Sequence, residues 1–83
     1  MDVEASLLQL IETCRTTSLP NFDIEQAIEL VLAGECLVAL ENLCVQLVEH
    51  DVRLNLPLME DIQRIGALLG MAERYWQRLP RPT

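Results

Sequence analysis

Thiols and an imidazole are the side chains best suited to nucleophilic or metal chemistry, and this chain holds Cys14, Cys36, Cys44 and a single histidine, His50. Their spacing works against both uses. Cys44 and His50 are six positions apart, about 600° around a helix, so their side chains diverge by roughly 120° and a thiol and its base would not meet. Three scattered cysteines and one histidine offer no zinc spacing, and there is no C-x-x-C pair. Cys36 and Cys44 would lie about 12 Å apart on one helix, beyond the roughly 7 Å that a disulfide tolerates. His50 falls near the end of a helical stretch, where an imidazolium complements the helix dipole. No glycine-rich phosphate loop is present. Glu25/Glu29 and Glu41/Glu49 map to outer helix faces, where solvation accounts for them. The expectation is a non-enzyme with no catalytic, cofactor or metal residues.

Binding chemistry is better represented. At 100° per residue the apolar face of the stretch from 35 to 50 centres near Leu40 and Leu47, and opposite it lie Val38, Glu41, Asn42, Val45 and Glu49. Two valines among carboxylates and an amide suit a protein-binding face, a small apolar centre with an acidic rim. Equally, a neighbouring helix could cover both valines. Asp51, just past the helix, either joins the patch or makes the turn through its own side chain. Tyr75 and Trp76 are two of only three aromatics. Adjacent on one helix, they cannot both face inward. Trp76 aligns with Ala72 and Leu79 and is expected to close the core, leaving Tyr75 as a contact residue with an exposed hydroxyl.

These residues need helices to position them, and apolar spacing predicts helices almost end to end. In a first helix over about 2–15, Val3, Leu7, Leu10, Ile11 and Cys14 share a face, with Asp2 as the candidate N-cap. After the loop at 16–21, Asp23 is expected to cap a second helix. Gln26 would complete a capping box, Phe22 would staple onto Ala27, and Gly34 would end or bend the helix. The third helix, about 35–50, carries Cys36, Leu40, Leu43, Cys44, Leu47 and Val48 on one face. A connector at 51–54 leads to a fourth helix opened by Asn55 and Pro57 and closed by Gly70, with Met71 folding back on Ile65. A short fifth element covers about 72–79, and residues 80–83 form an irregular tail. No alternating strand pattern or internal repeat is present. The reading is an all-α single domain over 1–83, a bundle of four main helices plus a short C-terminal one. Its expected core holds Leu7, Ile11, Ile28, Val31, Leu40, Leu43, Leu47, Ile62, Ile65 and Leu69. The three thiols are expected to be small buried hydrophobes.

Charge narrows the class of partner. Thirteen acids face six bases, all arginine, for a net charge of −7. Residues 1–61 carry net −10 and residues 62–83 net +3. The acidic body repels phosphate backbones, which argues against nucleic acid, and attracts a basic partner by long-range steering. It also simply aids solubility. The opening Met1-Asp2-Val3-Glu4 lacks the basic start and apolar run of a signal peptide, and no segment approaches the roughly 20 apolar residues of a membrane span. A reduced, cytoplasmic protein without membrane attachment is expected.

Two stretches resemble a known family. Leu32-x-Gly34-Glu35-x-x-x-Ala39-Leu40-Glu41-x-Leu43-Cys44-x-Gln46-Leu47-x-Glu49-x-Asp51, and later Ile65-Gly66-x-x-Leu69-Gly70-x-x-x-x-Tyr75-Trp76-x-x-Leu79, resemble immunity proteins of the MafI type. The resemblance spans about residues 23–79. It implies a small helical protein encoded beside a secreted polymorphic or contact-dependent toxin, often a nuclease, which it binds and neutralises in the cytoplasm. The resemblance assigns no binding site, since Gly34, Leu40, Cys44, Gly66 and Gly70 look structural. A cationic toxin surface suits the acidic patch, so the expected contact residues are Val38, Glu41, Asn42, Val45, Glu49, Asp51 and Tyr75. The alternative is a helical adaptor or regulator that meets a second copy of itself as a homodimer.

Overall fold

A computed structural model describes residues 2–81. Five helices follow in order: α1 (Val3–Thr13), α2 (Asn21–Leu32), α3 (Cys36–Glu49), α4 (Leu56–Leu69) and α5 (Glu73–Gln77), with a 3₁₀ turn at Cys14–Thr16 continuing α1. No strand occurs among the described residues, and no helix there is long and apolar enough to cross a membrane. The protein is an all-α domain. The irregular tail expected over 80–83 lies partly outside the described residues.

Helix α3 is the centre of the bundle and packs on all four others, most extensively on α2. Its Ala39, Leu40, Leu43, Cys44 and Leu47 are buried, and they meet Leu7, Ile11, Ile24, Val31, Ile62 and Ile65 from the surrounding helices. Local chemistry sets most boundaries. Asp2 accepts from the Ala5 amide and caps α1, and Asn55 accepts from the Leu58 amide and caps α4, with Pro57 in the first turn. Three helices end in the same motif. Gly34, Asp51 and Gly70 adopt left-handed backbone (φ 83°, 48° and 78°). The next amide in each case donates back to the helix: Glu35 to the Leu30 carbonyl, Val52 to Leu47 and Met71 to Gly66. This is the Schellman arrangement, which satisfies otherwise orphaned carbonyls and turns the chain sharply. Asp51 is the one non-glycine among them.

Several expectations are corrected by packing. Helix α2 starts at Asn21, because Pro20 supplies the N-cap geometry (φ −58°) and its carbonyl accepts from the Asp23 amide at 3.0 Å. Asp23 therefore sits inside the first turn, not at the cap, and there is no capping box with Gln26. Phe22 is 69% exposed and does not staple onto Ala27, which is fully buried. Ile28 and Leu69 lie at the margin of their helices' apolar stripes and are only half-buried, as is Cys36 at the first position of α3. Met71 folds back over Gly66, its Cε 2.9 Å from where a Gly66 side chain would begin, and is buried in the same core as Ile65. Trp76 does not close the core. It and Tyr75 are both half-buried, because α5 has only five residues and lies against the ends of α3 and α4; the buried anchors there are Met71 and Leu79. The 51–54 connector also contributes more than a link. Val52 and Leu54 are buried while Asp51 and Arg53 are exposed, so this short extended segment alternates like a strand into the core.

Candidate functional site

The outer face of α3 carries a stripe at helical spacing, Val38, Glu41, Asn42, Val45 and Glu49, about 16 Å long at 1.5 Å per residue. Its valines are neither fully covered nor bare: Val38 is 44% and Val45 42% exposed. Glu41 and Asn42 between them are half-buried, and Glu49 is exposed. Neither Glu41 nor Glu49 forms an ion pair among the described residues. The stripe is thus an apolar centre with unneutralised carboxylates beside it.

Helix α5 decides what happens at the C-terminal end of the stripe. It packs across α3 and brings Tyr75 to Val45 and Glu49, three of the sequence-predicted residues, in one shallow cleft. On α3 it is lined by Val45, Val48, Glu49 and the buried Cys44, and from the C-terminal segment by Tyr75 with Arg74 and Arg78, two residues that sequence reasoning did not single out. Arg74 lies over the Tyr75 ring, 5.0 Å from its centroid, and donates to the Tyr75 hydroxyl at 3.4 Å. The cleft encloses about 120 Å³, well below the roughly 300–1,000 Å³ of ordinary small-molecule sites. It has room for a side chain. The signal available in the sequence was the i, i+4 spacing of Arg74 and Arg78 within the basic last 22 residues; what was missing was the docking of α5 on α3.

Val38, Glu41 and Asn42 lie further up the stripe, beyond the cleft. The face therefore carries Glu41 as its one acid in the upper part and Glu49 together with two guanidiniums at its C-terminal end. Asp51 does not line the cleft. It makes the left-handed turn that ends α3, and its carboxylate lies 3.8 Å from Arg53.

His50 occupies the C-cap of α3, the position that suits a cation at the negative end of the helix dipole. Its Nε2 is 3.3 Å from the Asp23 carboxylate, which is largely buried, so the pair ties the start of α2 to the end of α3. The thiols sit in surroundings that keep them protonated. Burial pushes Cys14 up to about 11, and burial, then the neighbouring Cys14 and Glu41, pushes Cys44 up to about 12. At neutral pH almost no thiolate exists at either position, and the thiolate is the reactive form. Among the described residues no group of three or more His, Cys, Asp or Glu is placed to hold a metal ion.

Compared with known protein families, curated proteins and solved structures, the chain matches none.

Proposed function

We propose that this protein is an immunity protein of the MafI type, which acts by binding rather than catalysis and captures a basic toxin domain in the cytoplasm on the outer face of α3. The observation that carries the reading is the α3 stripe: two half-exposed valines beside Glu41 and Glu49, neither of them ion-paired, on a body of net −10 over residues 1–61. Apolar contact area with a charged rim suits protein recognition, and a concentrated negative field speeds capture of a cationic partner. Speed matters for this role, since free toxin does damage until it is bound. The resemblance over about residues 23–79 points the same way.

Co-expression with the toxin domain encoded next to this gene tests the proposal directly: the wild-type protein restores growth, and failure to do so sinks the immunity reading. Glu41→Arg with Glu49→Arg slows association and flattens its salt dependence, because rim charges act chiefly on the on-rate. Val45→Asp raises the dissociation rate instead. All three positions lie off the core, so circular dichroism of each variant matches wild type. Rescue that survives all three substitutions keeps the function and moves the binding surface elsewhere. A stable dimer in sedimentation, with no toxin binding, favours the homodimeric adaptor.

A further inference from the structure

We infer that the cleft between α3 and α5, which shares Val45, Glu49 and Tyr75 with the outer face of α3, is a second recognition site, for a protein segment that places an aliphatic side chain beside one or two carboxylates. The idea does not rest on the immunity reading, because a basic partner held by the stripe's acids makes no use of two guanidiniums.

The strongest observation is charge left uncompensated where the composition makes it least expected. The chain has more than twice as many acids as bases. Arg15, Arg53 and Arg64 each sit within 4.0 Å of a carboxylate. Arg74 and Arg78 have no such partner among the described residues, although Glu49 lines the same cleft. Four residues apart, they project from one side of the chain about 6 Å apart along a helical axis, a spacing that one or two carboxylates bridge. Tyr75 holds Arg74 in place by stacking and by its hydroxyl. A guanidinium held this way loses little freedom when it forks onto a carboxylate.

The apolar lining specifies the other half of the ligand. Val45 and Val48, both partly exposed, line the same cleft as the guanidiniums, and the volume suits one aliphatic side chain. Size and surroundings also exclude a polyanion. Residues 1–61 carry net −10 and Glu49 stands at the rim, so a nucleic-acid strand is repelled while a single short acidic segment is accommodated.

The test titrates the isotopically labelled full chain with the peptide acetyl-Glu-Leu-Glu-amide and with its neutral counterpart acetyl-Gln-Leu-Gln-amide, following by NMR the methyl groups of Val45 and Val48 and the Nε–H of Arg74 and Arg78. The acidic peptide shifts these signals and binds several-fold more tightly than the neutral one. Arg74→Gln and Arg78→Gln each weaken it about 2–5-fold, the scale of an exposed charge pair, while Glu49→Gln strengthens it by removing the repulsion. All three side chains are exposed, so the variants fold. Equal binding of the neutral peptide overturns the proposal. So does weakening by Glu49→Gln, shifts confined to another face, no shift at tens-of-millimolar peptide, or preference for a single-stranded oligonucleotide. None of these results bears on toxin rescue, so the two readings fail independently.

Discussion

Raising the pH above 9 destabilises this protein through its buried thiols, and its composition makes the effect unusually clean. The chain contains no lysine, and its six bases are arginines, which do not titrate in this range. Between about pH 9 and 11 the buried thiols of Cys14 and Cys44 are the groups that hold their protons in the folded chain and lose them on unfolding. Burial holds the Cys14 thiol up to about 11 and the Cys44 thiol up to about 12, against 9.0 for an unperturbed thiol. Below pH 9 both states are protonated and the stabilisation is fully present. Above it the unfolded chain releases protons that the folded chain retains, so stability falls as pH rises through the folded values. Each thiol contributes up to roughly 1.4 kcal/mol per pH unit, so the pair costs roughly 4 kcal/mol between pH 7.5 and 10.5. That is a large share of the roughly 5–15 kcal/mol typical of a domain. Urea unfolding under reducing conditions at a series of pH values measures it. Cys14→Ala and Cys44→Ala each lower stability at pH 7.5 through lost packing, and each removes about half of the alkaline slope. An unchanged slope in both variants refutes the assignment of that slope to buried thiols.

Three further outcomes follow from packing. Leu43→Ala, at a position 1% exposed in the central helix, costs about 2–5 kcal/mol in urea unfolding. Asp51→Gly relieves a left-handed residue with φ 48° and gives up only an exposed contact to Arg53; thermal unfolding shows it more stable by about 0.5–1 kcal/mol. Phe22→Ser leaves stability within about 0.5 kcal/mol of wild type, because the ring is 69% exposed and staples nothing. A loss of several kcal/mol there would restore the discarded staple.

What the sequence determined by itself are features set within a few residues of one another. Apolar spacing located all five helices, and the caps at Asp2 and Asn55 and the left-handed ends at Gly34 and Gly70 stand where their local hydrogen bonds require. The start of α2 was less legible because two local signals competed, and Pro20 prevailed over Asp23 once the Asp23 carboxylate was drawn towards His50, 27 positions further along. Val52 and Leu54 look like connector residues until the chain reverses after Asp51 and turns both into the bundle. The α3 stripe was readable as a pattern, since Val38, Val45 and Glu49 share a face by helical geometry alone. Whether its valines were covered was not, and both are left partly exposed, Val38 at 44% and Val45 at 42%. Tyr75 reaches Val45 only because α5 docks across α3, and the same docking carries in Arg74 and Arg78 and turns an acidic face into a mixed cleft. Helical periodicity fixes which side chains share a face, but what lies opposite that face depends on contacts between residues thirty positions apart, which only the packed tertiary structure brings together.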